Sequence, residues 1–265
     1  MTLIQYLDGV PAFHLLVRWL RLRQFVHLLL KIHPLNRTLP GSGVRYRCRD
    51  LETVGSAHRI FVCNNYGKVI DPKTTRTFVD LGCNVGLFGA LLAHETGCRD
   101  LRGLMIDANP AMIDETRWLL ATNDLDRVAA LHGLVGAAGD GDTAEFYLLP
   151  SHLGSSQFPV YDPGKPPKGN WRKLAVPRID LEAAWQERFG DVRCHLLKVN
   201  IEGSEEKLFR AETMFLRRVD RIVVQWHKWL VSRESMEETL RSQGLALVEV
   251  LRENDSSGNA LYQRT

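Results

Sequence analysis

A buried strand that runs into a glycine-spaced turn constrains the fold of this chain more than any other stretch. The run Thr77-Phe-Val-Asp-Leu-Gly-Cys-Asn-Val-Gly-Leu-Phe-Gly89 passes from β-branched and aromatic residues to Gly82 and Gly86. A strand, a glycine turn and then a helix is how α/β folds bind ligands at the carboxyl ends of their strands. The first amides of such a helix suit a phosphate or a carboxylate. The stretch therefore predicts an α/β domain with a ligand site at this turn.

The same alternation of strands and helices continues along the chain. The predicted strands are Thr77–Leu81, Leu101–Ile106, Val128–Ala138, His195–Asn200 and Arg221–Trp226, with Ala246–Leu251 and Ala260–Arg264 closing the sheet as an antiparallel pair. The predicted helices are Leu87–Thr96, Pro110–Thr122, Leu181–Phe189, Ser204–Phe215 and Ser235–Gln243. A chain of 265 residues is long enough for one such domain with a full core and a small extension.

The acid that follows the second predicted strand indicates what kind of ligand the turn holds. Asp107 lies 21 residues after Gly86, a spacing that suits a carboxylate gripping ribose hydroxyls. The dinucleotide fingerprint G-x-G-x-x-G is broken, because Asn84 stands at the middle glycine and leaves Asp80-x-Gly82-x-x-x-Gly86. That spacing suits a pyrophosphate poorly, so an NAD-linked oxidoreductase is disfavoured.

Three blocks of sequence together resemble the FkbM-type S-adenosylmethionine-dependent methyltransferases. They are Val79-Asp-Leu-Gly-Cys-Asn-Val-Gly86, Ile106-Asp-Ala-Asn-Pro110 and Leu196-Leu-Lys-Val-Asn-Ile-Glu-Gly-Ser-Glu205, with Pro177–Leu181 and Ile222–His227 in support. The resemblance runs from about Thr77 to Trp229. It implies a Rossmann-like class I methyltransferase fold, with a seven-stranded mixed sheet of order 3-2-1-4-5-7-6 and helices on both faces.

The resemblance also implies a cofactor, S-adenosylmethionine, and a role for each matching position. The residues expected around its amino-acid end are Asp80, Gly82, Cys83, Asn84 and Gly86. Asp107 is expected to hold the ribose, Ala108 and Asn109 to lie beside the adenine, and Val135 to cover the other adenine face. For Cys83 a backbone contact alone would suffice, so its side chain is interpreted as a small filler.

The end of the fourth strand is expected to face the reactive methyl group, with Asn200, Glu202 and His227 as catalytic candidates. An alcohol acceptor loses a proton as it is methylated, so a positioned base helps. His227 is the first candidate, because imidazole titrates near neutral pH, and Glu202 is the second. Either residue could instead be structural. The family usually has acids where this chain has Asn200 and Gln225, and both departures remove a negative charge.

The predicted function is O-methylation of a hydroxyl on a sugar, glycan or small natural product. The alternative is a catalytically weak protein that keeps the fold as a binding or scaffold module, which the Asn200 and Gln225 departures favour. No metal is expected, because amides stand where converging acids would be useful. No nucleic-acid partner is expected either, because the catalytic part is not basic and no N-P-P-Y signature follows the fourth strand.

The first 49 residues form a basic segment. They carry eight arginines and lysines against Asp8, a net charge of +7, whereas the whole chain carries only +3. Phe13 to His33 reads as one or two helices ending before Pro34. Two interpretations stay open: a helical cap on the main domain, or an amphipathic helix that touches an anionic membrane or surface. We divide the chain into a helical extension, residues 1–50, and a methyltransferase domain, residues 51–265.

Three further features complete the predictions. A turn at Gly41–Gly43 precedes a hairpin predicted between Val44–Arg49 and His58–Cys63. The Pro-rich stretch Ser151–Lys173 is a long loop, proposed as an acceptor lid through Tyr161, Trp171, Lys165, Lys168 and Arg172. Five cysteines without metal-ligand spacing, and no membrane-spanning apolar stretch or signal peptide, indicate a cytoplasmic protein.

Overall fold

The computed structural model describes residues 22–97, 100–136, 141–149, 155–157, 171–228 and 230–265. The helices are α1 (Leu22–Ile32), α2 (Leu51–Ala57), α3 (Leu87–Thr96), α4 (Pro110–Thr122), α5 (Leu181–Phe189), α6 (Glu205–Ala211), α7 (Thr213–Leu216) and α8 (Arg233–Ser242), with a π-helical turn at His58–Val62 and a 3₁₀ turn at Gly67–Val69. The strands are β1 (Leu35–Thr38), β2 (Arg45–Cys48), β3 (Thr77–Leu81), β4 (Arg102–Asp107), β5 (Val128–His132), β6 (Leu134–Val135), β7 (Thr143–Leu148), β8 (Arg172–Ile179), β9 (Leu196–Val199), β10 (Arg221–His227), β11 (Leu245–Glu253) and β12 (Ser257–Arg264).

The central sheet has seven strands in the order β11-β12-β10-β9-β3-β4-β5. Strands β3, β4, β5, β9 and β10 run parallel, whereas β12 pairs antiparallel with both β10 and β11. Numbered along the chain, this order is 3-2-1-4-5-7-6, so the predicted fold class is confirmed. The order in which strands are added switches sides between β3 and β9, and ligands of open α/β sheets bind at such a point.

Both faces of the sheet are buried, as parallel sheets require. Val79 and Leu81 of β3 pack with Trp185 of α5 and Trp226 on one face. Phe78 of the same strand packs with helix α3 on the other face. This burial explains why β3 reads as a continuous apolar run broken only by Asp80.

Local signals set the ends of the helices around the site. Asn109 caps α4 by accepting a hydrogen bond from the amide of Ala111, and Pro110 occupies the first helical position. Helix α3 ends at Gly97, which adopts the left-handed conformation with a φ of 54°. The predicted bounds of α3, α4 and α5 are confirmed. The predicted helix Ser204–Phe215 is instead two short helices, α6 and α7.

The predicted hairpin near the N-terminus is wrong in its second strand. The Gly41–Gly43 turn joins β1 to β2, so the partner of β2 precedes the turn instead of following it. Residues 58–62 continue helix α2 as a π-helical turn. Tertiary packing explains this, because Phe61 stacks on Tyr46 of β2 with ring centroids 4.7 Å apart.

A second correction concerns the chain between β5 and α5. The predicted strand Val128–Ala138 is two strands, β5 and β6, and residues 137–138 lie outside the described part of the chain. Strand β8 pairs parallel with β6 and antiparallel with β7, forming a small three-stranded sheet that was not predicted. Arg172 and Lys173 begin β8 and so do not belong to the predicted loop.

Candidate functional site

The turn after β3 is held in an unusual backbone conformation. Gly82, Asn84 and Gly86 have φ values of 71°, 51° and 85°, in the left-handed region. The amides of Gly82 and Cys83 both donate to the carbonyl of Ile106, at 2.9 and 3.1 Å. These two bonds hold the turn against the end of β4, where the predicted ribose-binding acid lies.

Gly82 is needed for close packing between two strand ends. A Cβ atom at this position would lie 1.9 Å from the carbonyl oxygen of Asn200, which follows β9. Gly82 was expected beside the amino-acid end of the cofactor, and its close contact within the protein is with Asn200. Gly82 therefore lets the end of β3 pack closely against the end of β9. These two strands flank the point where the strand order switches.

Asp107 lies at the junction between the glycine turn and helix α4. One carboxylate oxygen accepts from the amide of Asn84 at 2.8 Å, and the other accepts from the amide of Asn109 at 2.8 Å. Burial raises the pKa of Asp107, and the two amide donors partly offset that effect. An ionised carboxylate has about four acceptor positions, so each oxygen can still accept from a hydroxyl. This chemistry fits a ribose.

An apolar slot lies beside Asp107. Ala108 and Phe146 are buried together in a small cluster, and Val135 is buried in β6. All three residues, with Leu134, line the same cavity as Asp107. Asn109 also lines it, although its side-chain oxygen is used in capping α4. The slot has the apolar character that an adenine ring requires.

Asp80 lies beneath the turn, away from the cavity surface. It is fully buried, and its carboxylate is 2.8 Å from Nζ of Lys198, its register partner on the neighbouring strand β9. Burial lowers the pKa of Lys198, but the Asp80 carboxylate outweighs that effect, so the pKa is raised. Lys198 also donates to the carbonyl of Gly82 at 2.7 Å. Asp80 was expected around the cofactor. In the structure it supports the glycine turn through Lys198 and does not line the cavity.

Gly86 and Cys83 serve the packing of the turn. Gly86 precedes the first residue of α3, and a Cβ there would lie 3.3 Å from Thr116 of α4. The thiol of Cys83 is buried 3.8 Å from the Thr116 hydroxyl. Burial raises the pKa of Cys83 well above its usual value, so the thiol stays protonated. Cys83 fits the interpretation of a small filler.

His227, at the end of β10, lies between two glutamates. Its Nε2 is 3.1 Å from the Glu202 carboxylate, and its Nδ1 is 3.4 Å from the Glu205 carboxylate. Burial lowers the pKa of His227, but hydrogen bonds to Glu202 and Glu205 outweigh it and raise the pKa to about 10. The ring is therefore an imidazolium at neutral pH. A protonated ring cannot accept a proton, so this geometry does not favour the prediction that His227 is the base.

Glu202 and Glu205 differ in exposure. Glu205 is fully buried, and its Oε1 also accepts from the amide of Gly203 at 3.1 Å. Glu202 has a φ of 52° and keeps a fifth of its side-chain surface exposed, at 20%. Glu202 and His227 line the cavity, so Glu202 is the carboxylate of the pair that an acceptor can reach.

One cavity of about 930 Å³ contains both halves of the site. Asp107 and the apolar slot line one part, and Glu202 and His227 line another. Binding pockets for small molecules span about 300–1,000 Å³, so this cavity lies at the large end of the range. It is large enough for a cofactor together with part of an acceptor.

Side-chain amides recur in the wall of the cavity. Besides Asn84, Asn109 and Gln157, they are Asn64, Asn65, Asn200, Gln225 and Asn259. Gln225 and Asn259 are register partners on β10 and β12. The buried Oδ1 atoms of Asn200 and Asn259 have no hydrogen-bond partner among the described residues.

The described part of the predicted loop reaches this wall. Ser156 donates through its hydroxyl to the carbonyl of Glu202 at 2.8 Å, and Ser204 donates to the side chain of Gln157 at 3.0 Å. Trp171 packs edge-on against Tyr147 of β7. Tyr161, Lys165 and Lys168 lie outside the described residues. The stretch thus contacts the turn that carries Glu202.

Several cavity residues were missed from the sequence. Tyr66 and Arg59 line the cavity from the chain between α2 and β3, and Arg59 lies on the π-helical turn. π-helical turns are rare in proteins, and those that occur often lie at functional sites. They have no recognisable sequence pattern. Glu205, the second acid of the Glu202-to-Glu206 stretch, lies behind His227 and was also missed from the sequence.

The described residues offer neither a clustered metal site nor a membrane-spanning helix. In the described ranges, no group of three or more His, Cys, Asp or Glu side chains is placed to hold a metal ion. No helix in the described part of the chain is long and apolar enough to cross a bilayer.

A protein-family model for the FkbM methyltransferase domain matches residues 52–254. The chain belongs to the FkbM methyltransferase family. It is thus an S-adenosylmethionine-dependent methyltransferase, and the resemblance carried by the three sequence blocks is confirmed. No curated protein matches the sequence.

Solved structures similar to this FkbM protein are methyltransferases of low sequence identity. TrmK of M. capricolum, solved with S-adenosyl-homocysteine, is 8% identical with a TM-score of 0.47, over 77% of this chain and 68% of that chain. An S-adenosylmethionine-dependent methyltransferase from Aquifex aeolicus is 11% identical with a TM-score of 0.46, over 81% of this chain and 96% of its own. The mitomycin 7-O-methyltransferase MmcR is 15% identical with a TM-score of 0.40, over 76% and 53%.

Proposed function

We propose that this FkbM protein is an O-methyltransferase that acts on a hydroxyl of a sugar, glycan or small natural product. The observation that carries the proposal is the single cavity lined by Asp107 at one part and by Glu202 with His227 at another. Methyl transfer requires a bound donor and an aligned acceptor, with water kept out. The cavity supplies a place for both partners.

Residues at the carboxyl ends of β3 and β4 would hold the cofactor. Asp107 would bind the ribose hydroxyls, and Ala108, Val135 and Phe146 would enclose the adenine. Lys198 also lines the cavity, and its ammonium, held by Asp80 and the Gly82 carbonyl, would fix the turn beside the amino-acid end. When bound, S-adenosylmethionine supplies an electrophilic methyl group on a sulfonium sulfur.

Glu202 would be the catalytic base. As the acceptor oxygen takes up the methyl group, its O–H bond breaks and the proton passes to the Glu202 carboxylate. His227 donates to Glu202 and to Glu205 at once, so it fixes the orientation of the Glu202 carboxylate. In this proposal His227 and Glu205 are positioning residues.

The amide-rich wall supports a hydroxyl-bearing acceptor. An amide both donates and accepts hydrogen bonds, which matches the dual character of a hydroxyl. The amides that replace the usual acids of the family therefore suit a neutral, polyhydroxylated acceptor.

Transfer of a labelled methyl group tests this proposal. The protein is incubated with S-adenosyl-[¹³C-methyl]methionine and a panel of monosaccharides, oligosaccharides and polyketide alcohols, and products are followed by proton–carbon correlation spectra. A new methoxy signal that requires the protein supports O-methylation. A signal in an N-methyl or S-methyl position contradicts it. Binding of S-adenosylhomocysteine without transfer to any acceptor favours the scaffold alternative.

A further inference from the structure

Helix α1 exposes an apolar stripe on the protein surface. Phe25, Leu28, Leu29 and Ile32 are 57%, 55%, 42% and 62% exposed. Their spacing of three, four and seven residues places them on one side of the helix. We call these four residues the α1 stripe. Contiguous apolar surface of this kind marks an interaction site more often than isolated exposed residues do.

The opposite side of α1 accounts for its attachment to the domain. Val26, His27 and Leu30 are half-buried, and Arg49 donates to the carbonyl of Lys31 at 3.1 Å. The larger apolar side of α1 therefore faces the solvent, and its smaller apolar side packs on the protein. A helix whose only role was to cap the domain would be expected to bury its larger apolar face.

The segment that carries the stripe is rich in cations and has no acids. Residues 24–49 contain Lys31, Arg37, Arg45, Arg47 and Arg49 and no Asp or Glu. Arg47 and Arg49 share the carboxylate of Glu115 on α4. Lys31 and Arg37 are exposed and have no carboxylate partner among the described residues. The exposed charges of this segment that lack a carboxylate partner are therefore positive.

We propose that the α1 stripe docks on an anionic membrane surface. An amphipathic helix with apolar side chains on one side and cations nearby lies in the plane of the interface, with its apolar side at the boundary between headgroups and acyl chains. Lys31 and Arg37 attract anionic lipid headgroups, each by a short-range electrostatic contact. Such docking does not require a transmembrane helix.

A second copy of the chain suits the stripe less well. A two-fold symmetric contact brings the same surface of both copies together, so the cations beside one stripe would face the cations beside the other. Such like-charge contacts are unfavourable. An anionic lipid surface offers apolar material and complementary charge together.

Helix α1 lies close to the segment that forms part of the cavity wall. Helix α1 packs on α2, and the chain continues from α2 into the π-helical turn that supplies Arg59 and Ile60 to the cavity wall. The docking helix is therefore one element away from the wall of the cavity. This inference does not depend on the proposed O-methylation.

Vesicle flotation tests the proposal with the full-length protein. Vesicles of phosphatidylcholine alone are compared with vesicles that also contain phosphatidylglycerol. We expect the protein to float with the anionic vesicles only, and added salt to release it. The double variant Leu28→Asp with Ile32→Asp should partition at least about 10-fold less. The matched control, Met214→Asp with Val248→Asp, changes two residues of similar exposure elsewhere and should float like the wild type.

Other outcomes overturn the proposal. If the wild type does not float with anionic vesicles, or floats equally with both kinds, the stripe has no such role. If the α1 variant floats as well as the wild type, the binding comes from another segment. If light scattering shows a wild-type dimer that the α1 variant converts to monomer, without vesicle binding, the stripe belongs to a second copy of the chain. Circular dichroism of both double variants verifies that they are folded.

Discussion

His227 and Glu202 face each other across the end of β10, with Nε2 of the ring 3.1 Å from Oε2 of the carboxylate. Glu205 holds the other ring nitrogen from a fully buried position. Both ring nitrogens of His227 therefore donate hydrogen bonds to carboxylates. Of the two glutamates, Glu202 keeps exposed surface in the cavity. This arrangement is the basis for the proposal that Glu202 is the base and His227 a positioning residue.

Replacing Glu202 by Gln should abolish most of the turnover. The amide keeps the size of the side chain but cannot accept a proton from the acceptor, so we expect kcat to fall by about 10²-fold or more. S-adenosylhomocysteine affinity should stay within about 2-fold, because Asp107 is untouched. The matched control is Glu238→Gln, on the exposed side of α8, which should keep its kcat. A Glu202→Gln enzyme with normal kcat would remove Glu202 from the proton transfer.

The pH dependence of kcat separates Glu202 from His227 as the base. The pKa of His227 is raised to about 10, so its neutral fraction would grow about tenfold per pH unit between pH 7 and 9. If neutral His227 were the base, the rate would rise in parallel. With Glu202 as the base, we expect a rate that is nearly flat over this interval. The measurement is a single-turnover pH profile, which avoids the contribution of product release.

The stability contributed by His227 should depend on pH in a defined direction. The folded pKa of about 10 lies above the reference value of 6.5, so charging the ring favours the folded state. That contribution is fully present below pH 6.5 and is lost as the pH rises through 10. The destabilisation caused by His227→Gln should therefore be largest near pH 6 and smallest near pH 10 in urea unfolding. A difference that grows with pH would contradict the charged ring.

The pair of Asp80 and Lys198 should behave as a buried ion pair. Asp80→Asn leaves the buried ammonium uncompensated and should cost about 3–5 kcal/mol in the free energy of unfolding. Lys198→Met added to Asp80→Asn should recover much of that loss. The exposed pair of Asp114 and Arg117 provides the control, since Asp114→Asn should cost less than about 1 kcal/mol. Equal losses for Asp80→Asn and Asp114→Asn would show that the buried pair is not structural.

The parts of the fold that could be predicted are those with local signals. Asp107 ends an apolar strand, and Asn109 with Pro110 starts the next helix. The sequence of about 30 residues therefore predicts this part of the candidate site. The order of the seven strands followed from a resemblance to a family, because propensity alone does not order parallel strands.

The parts that could not be predicted depend on contacts between distant segments. Residues 58–62 have a strand-like composition, but packing of Phe61 on Tyr46 keeps them helical. The pairing of Lys198 with Asp80 joins residues more than 100 positions apart. Glu205 belongs to the first turn of α6, and nothing in the sequence indicates that its side chain turns inwards to His227. The charge state of His227, on which the proposal of Glu202 as the base depends, follows only from the folded structure.

Calorimetric titration with S-adenosylhomocysteine tests the central claim most directly, with NAD as a parallel control. The account predicts one-to-one binding of S-adenosylhomocysteine in the micromolar range and no binding of NAD. Asp107→Ala should weaken that binding by about 10²-fold, because two ribose hydrogen bonds to a carboxylate are lost, whereas Asp114→Ala should leave it unchanged. Absence of binding to a folded, cofactor-free wild type, or equal binding to the Asp107→Ala variant, would contradict the assignment of the cavity.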